Sequence, residues 1–487
     1  MKIALIALYN HNAFNIRILH AALKSKNYEA RSFFLKKNLA LEGKNSEITD
    51  IEYSILIEAL KEFAPSVVGI NVISTFFHHA AELTARIKEQ MNALVIWGGI
   101  HPNLCPDDCI NHADVICMGE GEEAIVELAD RIEKKQDYTN INNLWIKKDS
   151  GVIKNELTPY KQDLNSIPFP DFSDTPIDKY YIVNNEISHR RPGSLNYYPI
   201  MTTRGCMFNC TYCSATVVKR IYPCPDGYFR RKNVKNVIDE LLTAKKNIRK
   251  LKRIHFYDSI FPSDEAWIRE FCEEYKQKIN LPFLCYFNPR TARDKIIFML
   301  KDAGLRHVRV GIQSGSCRIR NKMYNRPESK EDIMRFAQIM KKTGLAVCYE
   351  LIVGNPMEPV EDKSESLNLL LELPKPFKVF AHILCFYPGS DITVMALKER
   401  KIRENNIVGR QKRIFYQGML PLDAGRDKET IFWSFLYYLT GKRYFPNTII
   451  RLLRRCKLLE KQPLPAAAIL DKAHRIYACL LTLFEKI

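Results

Sequence analysis

Short apolar runs rich in β-branched residues alternate with amphipathic stretches along residues 1–150. The segment KIALIAL from Lys2 has the pattern of a buried strand, and residues 15–26 have the apolar spacing of a helix. Further strands are predicted at SVVGINVI from Ser66, ALVIWGG from Ala93 and DVICMG from Asp114, with a helix from Glu122. This alternation predicts a Rossmann-like parallel sheet that binds ligands at the carboxyl edge of its strands.

The pattern breaks off across residues 151–195, where Pro, Asp, Asn and Tyr are common and a linker or wrapping segment is expected. From Tyr198 the alternation returns. Six strands are predicted here, at PIMTTRG from Pro199, RIHFYDS from Arg253, PFLCYF from Pro282, HVRVGIQS from His307, AVCYELIVG from Ala346 and VFAHILCFYP from Val379. Residues 196–390 should therefore form a partial β/α barrel, and residues 391–487, which lack strand signals, a helical region.

The composition is that of an ordinary folded α/β protein, with 46% hydrophobic and 26% charged residues among 487. No stretch approaches the ~18 uninterrupted apolar residues that cross a bilayer, and the first residues lack a cleavable leader, so we expect a cytoplasmic protein. The net charge is +18, but Lys and Arg are scattered and no nucleic-acid-binding motif accompanies them. No nucleic-acid partner is therefore expected.

One group among the 14 cysteines has the spacing of a metal or cluster site. The segment TTRGCMFNCTYCSA places Cys206, Cys210 and Cys213 in a C-x3-C-x2-C pattern directly after a predicted strand. Three thiolates on one loop can ligate three irons of a cubane. The fourth iron is then open to a small chelating molecule. The sequence therefore predicts a [4Fe-4S] cluster with one free coordination position.

Neighbouring residues agree with a cluster. Gly205 lets the backbone turn sharply off the strand, and Phe208 and Tyr212 can shield the cluster or its ligand from water. The alternatives are incidental cysteines or a zinc site. Zinc needs a fourth ligand, and the nearest candidates, Cys224 and His189, fit no common zinc spacing.

This loop resembles that of the radical S-adenosylmethionine (SAM) superfamily, in which a cluster loop follows the first strand of a partial β/α barrel. The resemblance extends to YDSIFPSD around Asp258, which looks like the acidic end of the family's second strand. It also includes GIQSGS from Gly311, similar to a fourth-strand segment, and ELIVGNPME from Glu350, similar to a fifth-strand segment.

The resemblance implies that the cluster reduces bound SAM and splits a carbon–sulfur bond, giving methionine and a 5'-deoxyadenosyl radical. It places Gln313 and Ser314 near the methionine or ribose of SAM, and Val353 and Gly354 near its adenine. Tyr212 and Asp258 complete the cofactor-binding residues implied in this way. Taken alone, each of these segments is also typical of an ordinary strand end.

A second resemblance lies in the N-terminal unit. The run VIWGGIHPN ends a predicted strand in Gly98 and Gly99, followed by His101, and paired glycines allow a bulky flat ligand to approach closely. The segment resembles the cobalamin-binding domain that precedes the barrel in the B12-dependent radical SAM subfamily, and it implies that these three residues contact cobalamin. The cobalt-coordinating D-x-H-x-x-G loop is absent, although His11 could still be a ligand. The domain could also have kept its fold and lost cobalamin.

The two resemblances together imply a cobalamin-dependent methyltransferase that acts on an unactivated carbon or on phosphorus. A radical rearrangement or cyclisation is the enzymatic alternative, and a non-catalytic iron–sulfur binding protein is the alternative of another class. The implied partners are a small-molecule or lipid substrate and an electron donor such as flavodoxin or ferredoxin. The aromatic segment FWSFLYYLTGKRYF from Phe432 is expected either to cover the barrel as a helical lid or to touch a membrane surface.

Overall fold

The structure is a computed structural model that describes residues 1–37, 47–173, 178–191, 196–224, 226–410, 427–461 and 463. Its first sheet contains nine strands: β1 Lys2–Leu8, β2 Glu29–Leu35, β3 Val67–Asn71, β4 Leu94–Gly98, β5 Val115–Cys117, β6 Leu144–Lys148, β7 Gly151–Lys154, β8 Lys179–Val183 and β9 Glu186–Ser188. Their order in space is β7-β6-β5-β4-β3-β1-β2-β8-β9. The strands from β5 to β8 in this order are parallel, and β6, β7 and β9 add antiparallel edges. The predicted Rossmann-like arrangement is confirmed.

Helices cover both faces of this sheet: α1 Phe14–Ser25, α2 Asp50–Phe63, α3 Phe77–Gln90, α4 Ile100–Leu104, α5 Pro106–Ile110 and α6 Glu122–Glu133. On one face Ile3 and Leu5 of β1 belong to the same hydrophobic cluster as α1 and α6, and on the other Ala4 and Ile6 cluster with α2 and α3. Successive side chains of a strand point to opposite faces. A continuous apolar run such as KIALIAL is therefore what a doubly covered strand requires.

The segment expected to be a linker differs from expectation, because it contributes β7, β8 and β9 to the first sheet. The β8 strand pairs in parallel with β2, from Ser32 beside Lys179 to Leu35 beside Ile182. None of β2, β7, β8 and β9 was predicted from the sequence. The β8 run KYYIV is short and lies among turn-forming residues, so its local pattern is too weak to identify a strand that only tertiary pairing stabilises.

A buried charge network holds β8 against α1. Lys179, 1% exposed at its side chain, donates to Asp171 Oδ2 at 2.9 Å and to Asp178 Oδ1 at 3.0 Å. Lys24 and His20 of α1 reach Asp178 Oδ2 at 2.8 and 3.1 Å. His20, Asp171 and Asp178 have the proximity of a metal site, but two lysine ammonium groups already supply the positive charge there. The network is therefore an ion-pair cluster.

The second sheet contains six parallel strands in chain order: β10 Tyr197–Ile200, β13 Arg253–Phe256, β14 Phe283–Phe287, β15 Leu305–Gln313, β16 Ala346–Val353 and β17 Lys378–Ile383. A separate antiparallel pair, β11 Thr203–Arg204 and β12 Arg230–Arg231, follows β10. The helices are α7 Ser214–Ile221, α8 Val234–Asn247, α9 Glu265–Lys278, α10 Asp294–Ala303, α11 Lys330–Thr343 and α12 Val360–Glu372. All six predicted strands are present, so the partial barrel is confirmed.

The C-terminal region is helical where it is described, with α13 Asp391–Lys398, α14 Lys428–Thr440, α15 Asn447–Arg454 and α16 Lys457–Lys461. Ten of the thirteen residues of α14 are buried, and Phe435 and Leu436 belong to the barrel core. Tyr437 of α14 donates its hydroxyl to the Lys363 carbonyl of α12 at 2.9 Å. The aromatic segment thus covers the barrel, as the lid interpretation expects. No helix in the described ranges combines the length and apolar character needed to span a bilayer.

The network at β8 predicts a pH-dependent contribution to stability. Burial alone would raise the pKa of Asp171, but Lys179 and Ser173 hold it at about 2, below the ordinary value of 3.8. Because the folded value is lowered, the stabilisation is complete above the ordinary value and is lost as the pH falls through about 2. Asp171→Asn should therefore cost roughly 2 kcal/mol of unfolding free energy at pH 7 and about half of that at pH 3.

Urea unfolding of the wild type and Asp171→Asn at the two pH values measures this difference. Asp149→Asn, in the exposed turn between β6 and β7, is the matched control and should change little at either pH. A cost for Asp171→Asn that is the same at pH 7 and pH 3 would show that the charge of Asp171 is not what stabilises the network.

Candidate functional site

The three cysteines lie together on the loop between β11 and α7. The Cys210 side chain is buried, whereas Cys206 and Cys213 are half-buried. The Cys213 amide donates to the Cys210 carbonyl at 3.2 Å, which curls the loop before α7 begins. Burial raises the pKa of the Cys206 and Cys213 thiols, and a charge on Cys210 raises both further. The thiolate forms of Cys206 and Cys213 are therefore disfavoured in the protein alone, and a shared cationic centre would relieve this.

A buried carboxylate anchors the chain directly before this loop. Asp258 Oδ1 accepts hydrogen bonds from the amides and hydroxyls of Thr202 and Thr203, at distances from 2.6 to 3.1 Å. Burial raises the pKa of Asp258 to about 6, against the lowering effect of these hydrogen bonds. The resemblance implied contact with the cofactor. Asp258 is 2% exposed, and its Oδ2 has no hydrogen-bond partner among the described residues, so its contact with the cofactor stays a prediction.

A small pocket of about 180 Å³ opens beside the cysteine loop. Its lining residues come from the loop and from the ends of β15, β16 and β17: Tyr212, Gln313, Ile352, His382, Ile383, Leu384, Cys385 and Tyr387. The backbone of Gln313 has φ +60°, and its side chain folds over Gly311, where a β-carbon would lie 2.3 Å from Gln313 Nε2. Gly311 thus leaves the space that the Gln313 side chain occupies, and Gln313 and Tyr212 line the same pocket.

The other residues that the resemblance assigned to SAM lie behind this pocket. Ser314 is 1% exposed and shares hydrogen bonds with Glu358 at 3.4 Å and Ser366 at 3.1 Å. Val353 is buried and accepts a hydrogen bond from the Leu384 amide through its carbonyl. Gly354 has φ +70° and adjoins Thr430 of α14. None of Ser314, Val353 and Gly354 is among the described residues that line the pocket.

Arg326 is a site residue that the sequence did not indicate. Its Nη1 lies 3.9 Å from Cys210 Sγ, its Nη2 donates to the Gly311 carbonyl at 2.6 Å, and its Nε donates to Glu328 at 2.6 Å. A buried guanidinium beside the cysteines favours negative charge on their sulfurs. Because Arg326 lies in a loop among other basic residues, no local pattern distinguishes it from a surface charge.

A cavity of about 510 Å³ lies between the first sheet and the cysteine loop. From the first sheet come Asn71, Gly98, Gly99 and Cys117 at the strand ends, and from the barrel side Thr203, Arg204, Gly205, Tyr222 and Tyr228. A β-carbon on Gly99, which has φ +105°, would lie 2.5 Å from Asn71 Oδ1. Apolar residues of the sheet and of the adjacent helices α1 and α6 also line it, among them Leu5, Ile96 and Ile125. The cavity is therefore lined by polar groups and glycines at the strand ends and by apolar side chains along the sheet.

Ion pairs join the two sheets across this cavity. Glu120 accepts from Arg230 at 2.9 Å and from Arg204 at 3.1 Å, and Glu122 accepts from Arg204 at 2.5 Å. Burial opposes ionisation of Glu120, but the two arginines hold the pKa of its carboxyl below the usual value. The segment GEGEEA, which leads into α6, therefore binds the strand that precedes the cysteine loop.

His11, considered as a cobalt ligand, and His101, implied to contact cobalamin, both lie outside the lining of the larger cavity. The ring of His101 accepts or donates a hydrogen bond to Ser74 at 3.0 Å and lines a separate cavity of about 340 Å³ with His78 and His112. Burial lowers the pKa of both His101 and His11 to about 4. Neither is among the described residues lining the larger cavity, which include no histidine. Gly98 and Gly99 are thus brought to that cavity, whereas His101 is not.

Comparison with known proteins agrees with this division into two parts. Residues 3–129 match the B12 binding domain, and residues 200–370 match the Radical SAM superfamily. The chain belongs to the cobalamin-dependent radical SAM enzymes. It uses a [4Fe-4S] cluster, SAM and cobalamin.

Relatives of this radical SAM enzyme include methyltransferases. The chain is 27% identical over 360 residues to the uncharacterized methyltransferase PH0819 of Pyrococcus horikoshii, covering 72% of this chain and 73% of the relative. It is 23% identical over 330 residues to the cytidylyl-2-hydroxyethylphosphonate methyltransferase of Streptomyces wedmorensis, covering 62% and 60%. The solved methyltransferase TsrM from Kitasatospora setae shares the fold, with a TM-score of 0.65, 18% identity and coverage of 82% of this chain and 76% of TsrM.

The cavities of this radical SAM enzyme fit its cofactors. Gly98 and Gly99 keep the end of β4 free of side chains, and apolar residues such as Leu5 and Ile96 line the larger cavity along the sheet, a lining that suits a large and partly apolar ligand. The smaller pocket adjoins the cysteine loop, where an amino acid chelating the open iron would lie. Both sites therefore meet at the same loop.

Gly205 provides a test of the loop geometry. Its φ is +83°, and a β-carbon there would lie 2.1 Å from the backbone carbonyl oxygen of Tyr228. Gly205→Ala should displace β11 from β12 and strongly reduce cluster incorporation, measured as iron and sulfide content after anaerobic reconstitution. Gly344→Ala is the matched control, because Gly344 has φ +65° with no neighbouring atom within 4 Å. A full cluster in Gly205→Ala would refute the steric argument.

Proposed function

We propose that the enzyme transfers a methyl group from cobalamin to an unactivated carbon, or to phosphorus, of a small molecule. The observation that carries this proposal is the continuity of the two sites along the chain. Arg204 and Gly205 line the larger cavity, and Cys206 follows them directly. A methyl donor in the cavity and a radical generated at the loop would therefore act on the same space. The methyltransferase names of the relatives support the proposal.

We assign the roles of residues accordingly. Cys206, Cys210 and Cys213 ligate the cluster. Tyr212 and Gln313 contact SAM. Gly98 and Gly99 form the floor of the cobalamin site. The other residues that the resemblance implied support the backbone around these two sites; they are Asp258, Ser314, Val353, Gly354 and His101. When bound, the cluster supplies the electron that cleaves SAM and cobalamin supplies the methyl group.

The interior of the barrel is suited to a small substrate. Arg309 is held between the rings of Phe380, at 4.6 Å, and Tyr286, at 5.1 Å, and is paired with Glu350. His382 Nε2 lies 3.8 Å from Glu350 Oε1, and the His382 ring lines the pocket beside the loop. A charged and aromatic lining of this kind orients a compact molecule that carries polar groups. We therefore place the substrate below the pocket, with His382 next to it.

The proposal is tested by following labelled methyl groups. Enzyme reconstituted anaerobically with iron, sulfide and hydroxocobalamin is incubated with methyl-labelled SAM and a chemical reductant. We expect 5'-deoxyadenosine and labelled methylcobalamin, with label then passing to an acceptor from a small-molecule extract. SAM cleavage with a bound corrinoid that never acquires label would favour rearrangement or cyclisation. A reduced cluster that leaves SAM intact would favour the non-catalytic alternative.

Two variants should separate the cofactor sites. A side chain at Gly98 meets only Cys117 Cβ, at 3.9 Å, and extends into the cavity. Gly98→Val should therefore abolish corrinoid retention, measured by cofactor extraction, while the cluster and SAM cleavage persist. Cys206→Ala should have the reverse effect. Corrinoid binding by Gly98→Val at the wild-type level would show that cobalamin does not occupy this cavity.

A further inference from the structure

The amino-terminal end of the barrel strands carries a basic surface. In a β/α barrel every connection from a helix to the next strand lies at this end. Residues 245–253, from the end of α8 to the start of β13, include six lysines and arginines and no acidic residue. From the ends of the preceding helices into β15, β16 and β17, further exposed cations follow: Lys301, Arg306, Lys341, Lys342 and Lys378. Asp302 and Glu372, the acidic residues on these connections, are each paired with a lysine.

Helices α15 and α16 extend this surface. The Phe377 amide, directly before β17, donates to the Gly441 carbonyl at 3.1 Å, and Lys375 Nζ donates to the Phe445 carbonyl at 2.6 Å. The connection from α14 to α15 is therefore fixed to the loop that enters the last barrel strand. Residues 441–461 contain seven lysines and arginines and a single acidic residue. They therefore add positive charge to the same end of the barrel.

Helix α15 leaves part of its apolar stripe uncovered, whereas ten of the thirteen residues of α14 are buried. On α15, Ile450 is fully buried and Leu453 packs against the barrel core. Ile449 and Leu452 lie beside them on the helix surface, one turn apart, and are 41% and 65% exposed. Leu452 has the largest exposed fraction among the large hydrophobic residues of the described ranges. The barrel therefore covers one half of the stripe, and the other half faces solvent.

The combination of charge and apolar side chains narrows the choice of partner. Cations at the ends of the barrel helices have a local explanation, because a helix C-terminus favours positive charge. That explanation does not extend to Ile449 and Leu452, which lie next to the exposed Arg451 and Arg455. Nucleic acid would engage the arginines and leave the two apolar side chains without a partner. An anionic lipid surface satisfies both, because it offers phosphates above an apolar interior.

We propose that α15 and the basic connections around it rest on a membrane of anionic lipids. Ile449 and Leu452 enter the headgroup region, while the flanking arginines pair with lipid phosphates. The cysteine loop follows the carboxyl end of β10, so the cofactor sites face away from the bilayer. The contact therefore holds the enzyme at the membrane while its site stays open to the aqueous phase. This inference does not depend on the proposed function.

Flotation of the complete, anaerobically reconstituted enzyme with lipid vesicles tests the inference. We expect binding to vesicles of phosphatidylglycerol and phosphatidylcholine in equal parts, and far weaker binding to phosphatidylcholine alone. Ile449→Ser/Leu452→Ser should lower partition to the anionic vesicles about tenfold or more. The matched control, Ile51→Ser/Val394→Ser, removes two apolar side chains that are each 57% exposed elsewhere and should bind as the wild type does. Equal binding by the two variants would overturn the inference.

A second pair of variants examines the charge and does not rely on the apolar substitutions. Arg451→Gln/Arg455→Gln should weaken binding to the anionic vesicles and make it less sensitive to salt. Lys398→Gln/Lys401→Gln, which removes two exposed cations that follow the carboxyl end of β17, should have no such effect. If both pairs weaken binding equally, α15 is not the contact.

The depth of the contact is measured with Leu452→Trp. Its fluorescence should shift to shorter wavelength with anionic vesicles and be quenched by brominated phosphatidylcholine, whereas that of Val394→Trp should do neither. Two further results would overturn the inference in favour of another partner. One is binding of RNA or duplex DNA without binding to vesicles. The other is a dimer that Ile449→Ser/Leu452→Ser dissolves, again without binding to vesicles.

Discussion

The segment Thr202–Gly205 is held from two sides, and the rest of the site depends on it. On the barrel side, one carboxylate oxygen of Asp258 accepts four hydrogen bonds from Thr202 and Thr203. On the other side, Arg204 is paired with Glu120 and Glu122 of the B12-binding domain. Charged hydrogen bonds in a buried setting are strong and directional. The cysteine loop therefore begins from a position that both domains determine.

This arrangement explains which parts of the site could be read from the sequence. The strands β1, β3 and β4 have apolar runs that are buried on both faces, whereas barrel strands such as β14 and β15 alternate buried with half-buried or exposed residues. Both patterns are visible locally. The cysteine spacing and the glycines at the end of β4 are local as well. The roles of Arg326 and Glu120 were not visible, because each depends on a partner more than a hundred residues away or on a turn whose shape no short motif encodes.

The orientation of polar side chains within the predicted site also depends on distant parts of the chain. Asp258 and Ser314 stand at strand ends, where a polar side chain either faces a ligand or satisfies nearby backbone groups. The sequence does not distinguish these cases. In the structure Asp258 Oδ1 and the Ser314 hydroxyl bond to neighbouring groups, whereas Asp258 Oδ2 has no hydrogen-bond partner among the described residues. His101 bonds to Ser74, although Gly98 and Gly99 line the larger cavity. The sequence pattern locates the strand ends, but the direction of each side chain depends on packing against distant parts of the chain.

The packing of α14 has a consequence for biosynthesis. Tyr437 of α14 is bonded to α12, and Ser366 of α12 in turn receives the Gly315 amide at 2.8 Å, directly after the strand that presents Gln313. Helix α14 therefore supports a turn that is made more than a hundred residues earlier in the chain. While it is being synthesised, a chain that has not yet reached α14 already carries its three cysteines but lacks this support for the pocket beside them.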